Sequence, residues 1–162
     1  MSCIPCVVEG DGCSIPLEDF DRWTDNLHHV IESRDGRRYF REFLTSRFLE
    51  ESAAALEFWE RAELMLRTPH QGHSKGHGRT ASVQSMRLHK EAKDLVEMAE
   101  DKMNFDLAQM RCLYEAIQSG REDKIRTTFQ EAMQSACELL NDDYQLFRQH
   151  LLRQRRLLHE KR

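Results

Sequence analysis

Cysteines near the N-terminus have a spacing that could support two kinds of chemistry. Cys3 and Cys6 are separated by two residues, and Cys13 follows. Such a pair supplies two of the four ligands of a structural zinc site, but no second pair stands at a useful spacing, so we expect no metal here. Two alternatives stay open. Acylation of Cys3 and Cys6 would hold the chain at a membrane, or residues 1–16 form an irregular, untethered lead-in.

Three histidines in a glycine-rich stretch could also bind a transition metal through their imidazole nitrogens. His70, His73 and His77 lie within residues 68–83, a segment with three glycines. A loop of this composition fixes no coordination geometry and offers no supporting second shell. We expect residues 68–83 to form a flexible, solvated loop, and we expect the protein to hold no metal or cofactor.

Ser82, in the same stretch, follows Arg79 by three positions, a spacing that basophilic kinases accept. A phosphate carries strong negative charge, which is favourable just before the start of a helix. The sequence therefore predicts a phosphorylation site at Ser82.

Composition and charge disfavour several classes of protein. The 162 residues carry a net charge of −4, whereas nucleic-acid binding usually needs a basic surface. No apolar stretch is long enough for a transmembrane helix, and no nucleophile–base pair or cluster of metal ligands indicates an enzyme. Five cysteines without an export signal indicate reduced thiols. We expect a cytoplasmic protein.

Apolar residues at helical spacing indicate the elements that position these groups. Seven glycines and three prolines are few for this length, which favours long helices over short strands. From Leu17 onward, apolar residues recur every three or four positions, and Gly36 is placed to end the first such segment. Phe48 falls within the second stripe, and the spacing of Trp23 and Trp59 predicts that both belong to the core of the bundle. We predict seven or more helices and no sheet.

The last ten residues, 153–162, form a basic tail with a small apolar stripe. Such a segment could contact an anionic membrane or an acidic partner. A solvated helix end, whose cations suit the C-terminal dipole, explains the composition equally well.

A series of short motifs runs through the chain in order. In the first half the residues concerned are Trp23, Leu27, Ile31, Gly36, Tyr39–Leu44, Phe48, Glu50-Glu51 and Leu56–Trp59. In the second half they are Asn104–Asp106, Phe129, Ala132, Asp142–Tyr144 and Phe147. The series resembles the regulator of G-protein signalling (RGS) homology domain over residues 20–152.

The resemblance implies an all-α, RGS-like bundle of about seven to nine helices in two lobes, here over residues 17–152. In its best-known members the domain binds the switch regions of a GTP-loaded heterotrimeric G-protein α subunit. It contributes no chemistry of its own; it holds the catalytic groups of the G protein in their transition-state geometry, which is a positioning effect.

The resemblance also marks partner-facing positions, several of which depart from the family pattern. A family Asn directly before Leu-Glu-Phe-Trp is Ala55 here, or Ser52 if Ala53–Ala55 are an insertion. A second family Asn falls at Ala116 or Ile117, a family Arg is replaced by Leu146, and the family Asp is retained as Asp142. The expected partner-binding residues are Glu50, Glu51, Ser52, Ala55, Ala116, Asp142 and Leu146.

Two functions are consistent with this pattern. The first is regulation of G-protein signalling through a GTP-loaded α subunit, with weak acceleration of its GTP hydrolysis or competition with its effectors. The second is an RGS-like adaptor that binds a small GTPase or a signalling scaffold and has no GTPase-activating activity. Either would work in the cytoplasm, with peripheral membrane association as a further alternative.

Overall fold

The structure, a computed structural model, describes residues 3–5, 14–67 and 78–160, and the all-α prediction is confirmed. Over the described residues the elements are β1 (Cys3–Pro5), β2 (Ser14–Pro16), α1 (Leu17–Asp25), α2 (Leu27–Glu32), α3 (Arg34–Ser46), α4 (Glu50–Arg67), α5 (Gly78–Lys102), α6 (Leu107–Ser119) and α7 (Glu122–Glu160). No helix within these ranges combines the length and apolar character needed to span a membrane.

The chain divides into two compact units. Unit 1 comprises residues 1–49 and 141–162, and unit 2 comprises residues 50–140. Helix α7 belongs to both, because its residues up to Leu140 lie in unit 2 and those from Asn141 onward lie in unit 1. Trp23 is therefore in unit 1 and Trp59 in unit 2, so the expectation that they share one core is wrong.

A small antiparallel sheet precedes the helices of unit 1. Cys3 in β1 pairs with Pro16 in β2, and Ile4 pairs with Ile15. The prediction of no sheet is therefore wrong at this one place, and residues 1–16 are not entirely irregular. Each strand has only three residues, which is too short for a period-two pattern to show in the sequence.

The core of unit 1 is built from aromatic residues on α1, α3 and α7. Trp23 and Phe40 are almost completely buried. Phe147 on α7 places its ring 5.0 Å from the Phe40 ring and 5.5 Å from the Phe43 ring. Aromatic rings at these separations add attraction beyond the apolar area that they bury.

Two polar side chains of α7 complete the C-terminal end of α1. The Tyr144 hydroxyl donates to the Trp23 carbonyl at 3.1 Å, and Arg148 Nε donates to the Thr24 carbonyl at 2.6 Å. These carbonyls belong to the last turn of α1, which has no intrahelical donors for them. The cation of Arg148 also suits the negative end of the helix dipole.

Gly36 lies in the first turn of α3 and does not end a helix, contrary to the prediction. Ser33 caps this helix by accepting the Gly36 N–H at 3.1 Å. A Cβ on Gly36 would clash with the Val30 carbonyl oxygen and meet Trp23 Nε1 at 3.0 Å. The residue is small because α2 and α3 approach each other closely here.

Unit 2 has a separate core centred on Phe58 of α4. Its ring contacts the Phe105 ring edge-on at 5.4 Å and stacks against the Phe129 ring at 5.9 Å. Asp106 caps α6 by accepting the Gln109 N–H at 2.7 Å, and Gly120 ends α6 with a φ of 63°. Asp is a favoured residue at a helix N-cap, and Gly is favoured in the left-handed conformation that ends a helix.

Two predicted boundaries shift. Helix α5 begins at Gly78, so the predicted loop 68–83 gives up residues 78–83 to a helix, while residues 68–77 lie outside the described residues. Helix α7 continues to Glu160, so most of the basic tail is helical. Within it Arg155 reaches α1, lying over the Phe20 ring at 5.1 Å and 3.4 Å from Asp21 Oδ1.

We expect that weakening the packing of α7 in unit 1 lowers the free energy of unfolding measured by chemical denaturation. Phe147→Ala should cost about 3–5 kcal/mol because it leaves a cavity beside α3. Tyr144→Phe should cost about 1 kcal/mol because the Trp23 carbonyl loses its donor. Leu146→Ala, the control on the same helix turn, should stay within about 0.5 kcal/mol. Equal losses in all three variants would contradict this assignment.

His150 should make the stability of unit 1 depend on pH. Burial beside the Phe43 ring, with Arg47 and Arg153 nearby, lowers the pKa of His150 below its ordinary value of 6.5. The unfolded chain therefore takes up this proton first as the pH falls, and stability is lost from about pH 6.5 downward. In urea titrations across this range, His150→Gln should lose less stability with acid than the parent, whereas a parallel profile would contradict the effect. The control is His28→Gln, which changes an exposed histidine.

Candidate functional site

The end of α3 adopts an unusual conformation at Phe48. The Phe48 N–H donates to the Thr45 carbonyl at 3.1 Å, and the Leu49 N–H donates to the Leu44 carbonyl at 3.0 Å. These two bonds define a Schellman motif, in which the residue at the position of Phe48 takes a left-handed conformation and is usually Gly. Phe48 has a φ of 58°.

The backbone of Phe48 is strained, and its side chain is exposed. A left-handed conformation costs a residue with a Cβ about 1–2 kcal/mol, and the exposed fraction of this side chain is 86%. Among the described residues no other non-glycine has a positive φ, and the equivalent turn after α6 uses Gly120. A strained, exposed aromatic residue that stabilises no core points to a role in binding.

The prediction that Phe48 continues the apolar stripe of the second helix is therefore wrong. It follows Leu44 by four positions, which matches helical spacing, but α3 ends at Ser46. The available signal was the acidic pair that follows, since carboxylates favour the first turn of a helix and indicate a new helix starting near residue 50. Phe48 then has to lie in the turn between the two helices.

Glu50 and Glu51 occupy the first turn of α4 and are exposed. Their position near the helix N-terminus stabilises α4 through the helix dipole. Their side chains also reach solvent, and their contact with a partner stays a prediction.

The two candidate positions for the first family Asn are both buried. The exposed fraction is 6% for Ser52 and 0% for Ala55. They are three residues apart and hence on one face of α4, and both are buried on that face. Whether or not Ala53–Ala55 are an insertion, the residue at the position of the family Asn is buried.

Ala116, one of the two candidates for the second Asn, is also inaccessible, and the other, Ile117, is half-buried against the same core. It lies in the core of unit 2 with Leu113 and Phe129, and its exposed fraction is 0%. The expectation that Ser52, Ala55 and Ala116 present their side chains to a partner does not fit these positions. A small residue is needed at 116 because α6 packs closely on the core.

The final motif of the chain separates into structural and surface residues. Tyr144 and Phe147 are buried in unit 1, where they contact α1 and α3. Asp142 is exposed, and Leu146, one turn later on the same face of α7, has an exposed fraction of 49%. Asp142 is thus a surface carboxylate, and the packing of the motif does not depend on it.

The remaining predicted sites are those for phosphorylation, lipidation and metal binding. Ser82 is exposed, but it lies inside α5 and not in a loop before it. Cys3 is in β1, and Cys6, His70, His73 and His77 lie outside the described residues. Among the residues that are described, no three His, Cys, Asp or Glu side chains group closely enough to hold a metal.

Two described cysteines differ in their surroundings. Burial raises the pKa of the Cys137 thiol to about 11, with Glu138 nearby adding to the shift. Cys112 is exposed on α6. A thiol with so high a pKa forms little thiolate at neutral pH, so Cys137 is a poor nucleophile.

The chain matches a known protein family. The sequence model of the family described as "Regulator of G protein signaling domain" matches residues 26–152. That range contains α2 to α6, the Phe48 turn and the part of α7 that carries Asp142. No curated protein matches the chain.

We expect Phe48→Asn to raise the free energy of unfolding, although it removes a large apolar side chain. Asn adopts the left-handed conformation more easily than Phe, and little buried contact is lost. The gain should be about 0.5–1 kcal/mol in chemical denaturation. Phe40→Ala, in the core of the same unit, should instead cost about 3–5 kcal/mol. A loss of stability in Phe48→Asn comparable to that in Phe40→Ala would show that Phe48 is a packing residue.

Proposed function

The chain belongs to the regulator of G protein signaling domain family, and from that premise we propose that it binds the GTP-loaded α subunit of a heterotrimeric G protein. The family acts in G-protein signalling. The observation that carries the proposal beyond family membership is Phe48, with its strained backbone and exposed side chain, which precedes Glu50 by two residues in the sequence.

Phe48 supports binding through its apolar area. Moving a Phe side chain from water into an interface contributes about 1.5–3 kcal/mol, and aromatic residues are frequent among those that dominate interface energies. The Schellman motif fixes the backbone conformation of Phe48 in the unbound protein. Less conformational entropy is then lost on binding.

The exposed carboxylates Glu50, Glu51 and Asp142 support the choice of partner. They would accept hydrogen bonds from backbone N–H groups and cationic side chains of the switch regions, which the resemblance implies as the target. Hydrogen bonds to charged groups are about twice as strong as those between neutral groups. Of the two family Asn, the family Arg and the family Asp, the Asp is the one that this chain retains, as Asp142.

We propose that any GTPase-activating activity of this chain is weak, and that the chemistry would be that of the G protein. The resemblance implies two Asn side chains that reach the partner. Here the candidates for these positions are Ser52 or Ala55 and Ala116 or Ile117. Ser52, Ala55 and Ala116 are buried, Ile117 is half-buried, and all four are either apolar or short. A missing partner at a desolvated hydrogen bond costs about 1–3 kcal/mol each time.

The same burial favours the second candidate function, an adaptor that retains the fold but binds a small GTPase or a signalling scaffold. Without these two Asn contacts, Phe48 and the carboxylates alone would have to make the chain specific for a G-protein α subunit. The adaptor and the regulator differ in one measurable property, the dependence of binding on the transition-state analogue aluminium fluoride.

Binding of the full chain to a panel of α subunits, each carrying GDP with and without aluminium fluoride, tests the proposal by biolayer interferometry. We expect at least one α subunit to bind at least about tenfold more tightly with aluminium fluoride, and single-turnover GTP hydrolysis to be accelerated only weakly. Phe48→Asn and Asp142→Ala should each weaken the complex about tenfold, the loss expected of a residue central to an interface.

Matched controls remove similar groups elsewhere. Leu107→Ala truncates an apolar side chain with an exposed fraction of 85% on α6, and Glu131→Ala removes an exposed carboxylate from α7. Both should bind like the parent. Failure of every α subunit to bind in either nucleotide state would reject the proposal, as would equal losses in the controls and in the Phe48 and Asp142 variants.

A further inference from the structure

An apolar pocket opens between α4 and α5 within unit 2. Its volume is about 280 Å³, and it is lined by Arg61, Leu64, Met65, Gln84, Arg87, Leu88 and Glu91. Met65 and Leu88 are buried and form its floor, whereas Leu64 at its edge has an exposed fraction of 70%. Sites for small-molecule ligands usually measure about 300–1,000 Å³, so this volume suits one or two apolar side chains better than a cofactor.

The segment that joins α4 to α5 lies outside the described residues, and its composition is polar. Residues 68–77 read Thr-Pro-His-Gln-Gly-His-Ser-Lys-Gly-His and contain no large apolar side chain. Burying an apolar group in the pocket would therefore require a group from outside this connection.

The charges at the rim indicate the chemistry of the occupant. Arg61 is held by Glu91, with Nε at 2.8 Å from Oε1, and by Glu57 at 3.6 Å. Arg87 is exposed and makes no ion pair with any residue that the structure describes. The lining thus contains two cations and one carboxylate, and its uncompensated charge is the positive charge of Arg87.

We propose that this pocket binds an acidic amphipathic helix of another protein, which inserts an apolar side chain between Leu64 and Leu88 and places a carboxylate beside Arg87. Two adjacent helices form the kind of groove that accepts such a helix. A carboxylate, and not a cation, complements Arg87.

The pocket lies at the other end of α4 from the acidic pair. Glu51 and Leu64 are thirteen residues apart on this helix, which corresponds to about 20 Å along its axis. The domain can therefore hold the acidic helix without using Glu50 or Glu51. This inference does not depend on the proposed binding of an α subunit.

Methyl and amide NMR spectra of the full chain, titrated with a short helical peptide that carries leucine on one face and glutamate beside it, test the proposal. We expect shifts concentrated at Leu64, Met65 and Leu88. Leu64→Asp should weaken binding about tenfold. Arg87→Ala should weaken it about two- to fivefold, as for an exposed ion pair. Both positions are at the surface, so the variants should keep the parent fold.

A charge reversal provides the sharpest control. A peptide with lysine in place of glutamate should bind the parent weakly, and Arg87→Glu should reverse this preference. Leu107→Asp, which introduces the same charge at an exposed leucine of α6, should bind like the parent. Equal binding of both peptides, shifts outside the pocket, or self-association of the chain in place of peptide binding would each overturn the proposal.

Discussion

The C-terminal half of α7 is the constraint on which unit 1 depends, because this unit is assembled from the two ends of the chain. Tyr144 and Arg148 donate to the last-turn carbonyls of α1, more than 120 residues away in sequence, while Phe147 packs on two rings of α3. Contacts so distant in the chain carry a large loop-closure cost. Buried aromatic packing together with satisfied helix-end carbonyls offsets that cost.

The same packing of α7 fixes the position of a surface carboxylate. In Asp142-Asp143-Tyr144-x-x-Phe147 the two aromatic residues face inward, which leaves Asp142 on the surface at a position fixed by their packing. The turn at Phe48 also combines a structural role with an exposed side chain. Its Schellman hydrogen bonds satisfy the end of α3, and the Phe side chain is left to solvent.

Most of the helices could be predicted from the sequence because their apolar stripes are long and their caps are ordinary ones, such as Asp106 and Gly120. The misassignments arose where tertiary contacts override local pattern. Gly36 reads as a helix end, but it is small because the Val30 carbonyl and the Trp23 ring approach it. Phe48 has the spacing of the second apolar stripe, and spacing alone does not reveal that the helix ends before it. The burial of Ser52, Ala55 and Ala116 depends on which face of each helix packs inward, and a motif alignment carries no information on that.

The central claim is that the Phe48 turn and the exposed face at Asp142 contact a GTP-state α subunit. Hydrogen–deuterium exchange of the full chain, alone and with an α subunit carrying GDP and aluminium fluoride, tests it most directly. We expect new protection in peptides that cover residues 47–51 and 142–146, and unchanged exchange around Leu64 and Arg87. Protection confined to the α4–α5 pocket, or none in residues 47–51, would contradict the account.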